Sequence, residues 1–388
     1  MKVLVVGSGG REHALAWSIS QSPSLTELHA APGNPGIAEL AHCHPVRADD
    51  AASLAAELRV DLVVVGPEGP LVAGLADELR HRGLAVFGPS AAAARIEGSK
   101  AFAKDVMDAA GVANARTLAA AEPPCVVKAD GLAAGKGVWV CHTQSELDEA
   151  LAAVSPPFHV EELLEGPELS LFAVAAGEEA CAFPAARDYK RIGDGDAGPN
   201  TGGMGSFSPL PDVADDEADE ILDTVHRPVL RELAKRGMPF QGLLYAGLMR
   251  TPDGLRVIEF NCRFGDPETQ SLLPRLETDL LPILAGGPAP IGVSAGAAVT
   301  VVLAGRGYPE RGDIGTPIEG VADAAATGAH VFHAGTALHD GRLVTNGGRV
   351  LNVVGTGDTV EAARTAAYRA VDRIHFDGMQ FRRDIANG

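Results

Sequence analysis

The segment Val257-Ile258-Glu259-Phe260-Asn261-Cys262-Arg263-Phe264 alternates apolar and polar residues. In an extended strand Ile258, Phe260, Cys262 and Phe264 share one face, and Glu259, Asn261 and Arg263 share the other. The polar row then presents a carboxylate, an amide oxygen and a guanidinium at intervals of about 7 Å. Carboxylate and amide oxygens are the hard donors that magnesium takes when it is shared with phosphates. A guanidinium beside them would steady a phosphoryl group in transfer. The plain alternative is the solvated polar face of an antiparallel strand. The polar run GDPETQ that follows directly favours a site.

A second candidate is the stretch CVVKADGLAAGKGVWV, residues 125–140. It is close to a phosphate-binding loop but departs from that pattern twice. Only three residues separate Gly131 from Gly135, and Gly137 follows Lys136 where a Ser or Thr is required. The flanks differ as well, because apolar runs on both sides read as strands, which makes the glycines the tip of a hairpin. Such a tip can still fold over phosphates through its exposed N–H groups, and an ordinary glycine turn is the alternative. Lys128 lies in the apolar flank, where lysine is rarely buried without an anionic partner. Lys104, 24 residues earlier, reads by itself as a surface lysine. The run EELLEGPE, ending at Glu168, reads as a strand and turn whose carboxylate could meet ribose hydroxyls, with the backbone near Leu164 at an adenine edge; alone it would pass as a solvated turn.

These residues need a scaffold, and 388 residues with 46% apolar content suffice for two to three domains with real cores. A net charge of −19 excludes a general nucleic-acid binder while leaving room for basic pockets that hold small anions. The five cysteines are scattered with no C-x-x-C pair, which suggests neither a disulfide framework nor a zinc site, and a reducing cytosol fits. The N-terminal apolar run is too short for a signal peptide, and no run of about 18 apolar residues predicts a membrane span.

Short apolar strands at Val3–Val6, Leu62–Val65 and Leu84–Phe87 each end in a glycine turn, with a helix predicted over 11–20. This alternation predicts a doubly wound parallel sheet with ligands at the carboxyl ends of its strands. The first turn, GSGG, is a broken dinucleotide fingerprint with Glu12 at the third glycine position. A phosphate or sugar near the helix N-terminus, beside Arg11, is the favoured reading over a plain tight turn. Ser99 is expected to cap a helix through Lys104, and residues 187–212 read as a long substrate loop. Strands are expected at Ala297–Leu303, Ala329–Phe332 and Arg349–Val354, with a final helix from about Thr359 capped by Asp358 and Glu361. The expected units are a Rossmann-like domain at 1–98, a domain at 99–290 with a small lid lobe over about 122–176, and an α+β domain at 291–388.

Taken in order, two lysines, a glycine-rich hairpin, E-x-x-L-x-x-x-E and E-x-N-x-R resemble the ATP-grasp superfamily. The runs GSGGREHALAW (7–17), VGPEGPLV (65–72), EGSKAFAKD (97–105), VVKADGLAAGKGV (126–138), GPNTGGMGSFSP (198–209), VIEFNCRFGDPETQ (257–270) and TNGGRVL (345–351) span nearly the whole chain and are similar to the phosphoribosylamine–glycine ligase family. The resemblance implies a cytoplasmic, ATP-dependent ligation of glycine to 5-phosphoribosylamine through glycyl phosphate, in purine biosynthesis. It implies that Lys104, Lys128 and the flap residues Gly131, Gly135, Lys136 and Gly137 hold ATP phosphates, and that Glu161, Leu164 and Glu168 hold the adenosine. Glu259 and Asn261 would carry Mg2+ or Mn2+, and Arg263 would face the phosphoryl group. Gly10, Arg11, Glu68, Asn200, Thr201, Gly202, Gly203, Asp266 and Arg349 would receive phosphoribosylamine and glycine. The resemblance implies no nucleic-acid or membrane partner and a monomer or weak homodimer.

The chain departs from the family pattern in two places. Only SPPFHV lies between Val154 and Glu161, which predicts a trimmed small lobe. The strand Leu243–Met249 carries no acid for a second metal position, which would rely on phosphates and water or on an acid elsewhere. The rival readings are another ATP-grasp ligase of purine metabolism, a catalytically inactive nucleotide-binding protein, and an NAD-dependent dehydrogenase resting on GSGG alone.

Overall fold

The computed structural model describes residues 1–132, 137–214 and 216–387. Its N-terminal sheet has five parallel strands in the spatial order His42–Cys43, Glu27–Pro32, Lys2–Gly7, Leu62–Val65 and Val86–Phe87. Val3 to Val6 and Leu62 to Val64 are almost wholly buried, as strands covered by helices on both faces must be. Two of the five, Glu27–Pro32 and His42–Cys43, lack the apolar run that marked the others. The helix Gly10–Ser20 leaves the first strand directly.

An antiparallel sheet of Glu179–Ala182, Glu168–Ala176, Gln241–Thr251 and Gly254–Asn261 forms the floor of the middle unit. A separate three-stranded sheet, Val138–Cys141, Cys125–Ala129 and Phe158–Glu162, carries the helix Gln144–Ala153 and forms the small lobe. Thr143 caps that helix in a reciprocal box with Glu146. The strand Glu168–Ala176, expected in the small lobe, pairs with Gln241–Thr251 in the floor instead. It is buried along most of its length, which a small lobe with so little apolar surface could not achieve.

The third sheet has the order Arg187–Asp188, Gly205–Ser208, Ala297–Ala304, Arg349–Gly357, His330–His333. Its first two strands come from the segment 187–212 that read as one long loop. That segment is a chain of short strands whose backbone groups are paired, as buried polar backbone requires. The middle and C-terminal units are therefore joined through a shared sheet. The last helix is Val360–Val371, and its cap is Thr359, whose side chain accepts from the Ala362 N–H, in place of the expected Asp358. No helix among the described residues is long and apolar enough to cross a membrane.

Candidate active site

The strand Gly254–Asn261 is the last strand of the floor sheet, where it pairs with Gln241–Thr251, and its Val257 also bridges to the segment at Asn114. The pairing slips between Gly247 and Leu248, so Gly247 faces Glu259 while Leu248 faces Val257. The extra residue is Ile258, and the slip puts Val257 into the core and leaves Ile258 only partly buried. The expected apolar row is thus corrected at one position, and Phe260, Cys262 and Phe264 keep their place in the core. The bulge has a use: the Ile258 carbonyl accepts from Lys128 Nζ at 3.1 Å, a contact from the small lobe to the floor.

Glu259 is surrounded by cations. Burial pushes its carboxyl up, but Lys190, Lys128, Arg263 and Lys100 more than offset this and hold it below the ordinary carboxylate range. Lys128, almost fully buried, also forms an ion pair with one Glu161 carboxylate oxygen at 2.6 Å, and the other oxygen lies 3.1 Å from His159 Nε2. Glu161 thus stands against Lys128, where it orients the lysine. Lys104 is placed elsewhere. Its ammonium donates to the Asn114 side chain and the Ala115 carbonyl. The residue one turn earlier, Lys100, faces the centre, donating to the Gly131 carbonyl at 3.0 Å and standing near both Glu259 and Lys128. Ser99 caps this helix through Phe102, as expected, and Asp130 at the root of the flap accepts from the Lys100 N–H at 2.6 Å. A carboxylate at a helix N-terminus is favoured by the helix dipole. Gly131 and Gly137 are described; Gly135 and Lys136 lie outside the described residues.

Arg263 is gripped from two sides, by Glu68 at 3.2 Å and by Glu97 at 3.0 Å, and Glu97 also accepts from the Cys262 N–H. Burial raises the Glu68 carboxyl, yet Arg263 and Arg11 outweigh it and bring it down to about 2. Glu68 starts a short helix at the carboxyl end of a parallel strand, so this network ties the N-terminal sheet to the floor. Arg11 adds to it, donating to the Phe264 carbonyl and to Glu12.

Glu12 resolves the broken fingerprint. Its carboxylate accepts from the Gly9 N–H at 2.6 Å, and a methyl group placed on Gly7, Gly9 or Gly66 would run into its side chain. The glycines make room for a buried acid where a dinucleotide-binding turn needs a third glycine for close helix–strand packing, and that acid fills the space at the turn. The dehydrogenase reading loses its one support.

Residues from the far units meet beside this network. Arg349 donates to the Asp266 carboxylate at 2.9 Å, the Asp266 carbonyl at 2.7 Å and the Gly202 carbonyl at 2.5 Å. Gly203 packs on Pro267, and Thr201 is buried against the Lys190 carbonyl. Gly10 is buried under Asn352 and Gln270, so tightly that a side chain would strike both. Asn200 is partly buried at the end of the strand Ala197–Asn200, and Leu164 is partly buried between the small lobe and the floor.

Four residues near Glu259 escaped the sequence reading. Lys190 pairs with Glu168 at 2.7 Å; burial would lower its ammonium, but Glu168, Asp188 and Glu259 raise it well above the ordinary value. Burial raises the Asp188 carboxyl against the pull of Lys190, with Glu268, Glu168 and Glu259 adding repulsion. Glu268 and Tyr245 complete the group, linked through Ser170, which is 2.9 Å from the tyrosine oxygen and 3.4 Å from Glu268. The alternation Asp188-Tyr189-Lys190 was the available signal, but it was hidden inside a segment read as loop. Asp188 and Glu268 thus bring two further acids near Glu259 from neighbouring elements.

The family model for phosphoribosylglycinamide synthetase matches in three parts: the N domain over residues 1–97, the ATP-grasp (A) domain over 98–269 and the C domain over 298–388. A phosphoribosylamine–glycine ligase of Streptomyces coelicolor is 52% identical, covering 100% of this chain and 99% of the relative. One from Mesorhizobium japonicum is 48% identical over 99% and 97%. The crystal structure of phosphoribosylamine–glycine ligase from Thermotoga maritima superposes with a TM-score of 0.84 at 37% identity, over 99% of this chain and 100% of that one. A biotin carboxylase domain from Hydrogenobacter thermophilus shares the fold, with a TM-score of 0.70 at 16% identity over 98% and 91%.

Proposed function

We propose, for a chain that belongs to the phosphoribosylglycinamide synthetase family, the ATP-dependent ligation of glycine to 5-phosphoribosylamine, a step of purine biosynthesis. The glycine carboxylate attacks the γ-phosphorus of ATP, giving glycyl phosphate and ADP. The amine of phosphoribosylamine then attacks the acyl carbon, phosphate leaves with the oxygen it took from glycine, and glycinamide ribonucleotide remains. Nothing in this sequence demands a strong acid or base. It demands that several anions be brought together and held in line, which is work for fixed positive charge.

The observation that carries this reading is the convergence of Lys100, Lys128, Lys190 and Arg263 on Glu259. The cations come from a helix, the small lobe, the segment between two short strands and the turn just beyond the floor strand, so the triphosphate would be met from several sides. Lys128 and the glycines of the flap, Gly131 and Gly137 with Gly135 and Lys136, would cover it, with Lys104 the further phosphate ligand that the family implies, and Leu164 and Glu168 would lie toward the nucleoside end. Glu161 acts through Lys128. A divalent cation fits Glu259 and Asn261, which supply a carboxylate kept ionised by its neighbours and a neutral amide oxygen. Either Mg2+ or Mn2+ suits such oxygens and, when bound, would neutralise charge on the phosphates. Arg263, fixed by Glu68 and Glu97, keeps its direction without the metal.

Phosphoribosylamine and glycine would enter where the N-terminal sheet meets the third sheet, bounded by Gly10, Arg11, Glu68, Asn200 to Gly203, Asp266 and Arg349. The proposed working state is a monomer or weak homodimer in the cytoplasm. The domain bounds that serve this reading are 1–98, 99–290 and 291–388. The test is ADP release with ATP, a divalent metal, glycine and phosphoribosylamine formed in situ from ribose 5-phosphate and ammonia. ADP formation that needs both acid and amine, with glycinamide ribonucleotide found by mass spectrometry, is the expected outcome. ADP formed with a different acid would retain the ligase chemistry and overturn the substrates. Nucleotide binding without any turnover would move the inactive-protein reading to the front.

A further inference from the structure

Beyond the last helix the chain turns back and packs residues 381–386 against the segment 187–200. Arg382 is the centre of this contact and is only 1% exposed. Its guanidinium donates to Asp384 at 2.7 and 2.6 Å, to Asp196 at 2.6 Å and to the Arg191 carbonyl at 3.3 Å. It also lies 4.8 Å from the centre of the Tyr189 ring. Backbone bonds run alongside: Arg383 N–H to Asp194, Gly195 N–H to Asp384, and Ala386 N–H to the Tyr189 hydroxyl, at 2.7, 2.8 and 2.9 Å. From behind, Arg364 donates to the carbonyls of Arg383 and Ile385, and the Tyr368 hydroxyl donates to that of Arg382.

A charge this deeply buried is costly unless fully paired, so a surface tail has no reason to carry one for its own sake. What the tail grips explains it. Tyr189 sits between Asp188 and Lys190, and successive side chains of an extended segment point to opposite sides. The tail therefore holds the outward residue while Asp188 and Lys190 face Glu259. Lys190 is further tied to the substrate loop, its carbonyl accepting from both the N–H and the hydroxyl of Thr201.

We propose that Arg382 is a positioning residue: acting through Tyr189 and the 194–196 turn, the C-terminal tail sets Lys190 and Asp188 against the phosphoryl-transfer centre. The claim rests on the proposed reaction for its kinetic consequence, but its structural half does not. An Arg382→Met chain loses the donors to all three acceptors while keeping most of the side-chain volume. Its expected signature is faster amide exchange in peptides covering 187–203, with the N-terminal sheet unchanged. Turnover number should fall by about 10- to 100-fold, as displacement of about 1 Å at a reacting group predicts. Arg306→Ala removes an exposed pair to Asp377 in the same tail region and should change neither quantity. Arg382→Lys keeps the charge and should restore part of the turnover.

Unchanged exchange in 187–203 would overturn the positioning claim whatever the activity. Increased exchange with turnover within twofold of the parent would overturn it too, since the tail would then be only a clasp. Should Arg382→Met fail to fold, Asp196→Asn and Tyr189→Leu remove the same contacts from the other side and carry the same two readouts. If the parent enzyme makes no glycinamide ribonucleotide, the proposed reaction fails, and the exchange result still decides whether the tail holds the loop.

Discussion

The proposed reaction centre and the small lobe are built on opposite plans. Around Glu259 the structure spends charge: Arg263, from beside the floor strand, is clamped between Glu68 and Glu97 of the N-terminal unit, and Lys190 is paired with Glu168 of the middle unit and adds its charge near Glu259. The small lobe has a thin apolar core of Cys125, Val127, Cys141, Leu147, Ala150, Val154 and Val160. It meets the rest through a few polar ties, chiefly Lys128 to the Ile258 carbonyl and Asp130 to the helix start at Lys100. Rigid charge belongs where charge develops during reaction, because groups already in place need not reorganise. A lobe that must admit a nucleotide and then cover it is better held by a small core and a handful of bonds.

The strongest way to break this contrast is Glu259→Gln, which keeps the shape and removes the charge that the four cations surround. Turnover is expected to fall by about 10²–10³-fold, the loss typical of one preorganised electrostatic partner, with the far-ultraviolet spectrum preserved. Near-normal turnover in magnesium would remove Glu259 from the centre. Leu147→Ala should act on the other side of the comparison. It empties part of the small core and should cost about 2–5 kcal/mol there. Hydrogen exchange should rise across 125–162 while the floor strands stay protected, and uniform exchange throughout would show that the lobe is not a separate cooperative unit. Asp130→Ala should be milder. It removes an acceptor at a helix start, worth about 1 kcal/mol, and should loosen the flap root without touching the centre. The nucleotide KM should then rise more than the turnover number falls; the reverse pattern would place Asp130 in the chemistry.

The last effect concerns acid. Burial lowers His13 to about 3, and His226 and His333 to about 4, with His333 repelling His13 further. An unfolded chain would take up these protons near pH 6.5, so it binds more of them than the folded chain between about 4 and 6.5. The stabilisation from these neutral rings is complete above about 6.5 and is lost as pH falls through about 4. The melting temperature should therefore decline from pH 7 to 5. His13 makes this relevant to the domain junction, since its ring accepts from the His333 N–H at 2.8 Å and protonation would break that bond.

Legibility in the sequence followed the same division. The parallel sheet was readable where a run of Val and Leu preceded a glycine turn, and unreadable at Glu27–Pro32 and His42–Cys43, which owe their strand state to neighbours. Glu259, Asn261 and Arg263 were found from alternation, because one face of that strand is buried. The same rule misplaced Ile258, since a bulge leaves no mark in residue type. The choice between Lys100 and Lys104 could not be made from sequence: both lie on one helix face, one turn apart, and only the arrival of the flap root decides which faces Glu259. Asp188 and Lys190 were missed because Asp188 ends a two-residue strand, Lys190 follows just outside it, and the segment is held by the C-terminal tail, a contact of nearly 200 residues' separation.

The central claim is that fixed charge activates the glycine carboxylate by phosphoryl transfer, and an oxygen label tests it most directly. Glycine carrying 18O in its carboxylate is turned over with ATP and phosphoribosylamine, and the released phosphate is analysed by mass spectrometry. The account predicts one labelled oxygen per phosphate, delivered when glycyl phosphate is cleaved. Phosphate free of label, with glycinamide ribonucleotide still formed, would contradict it.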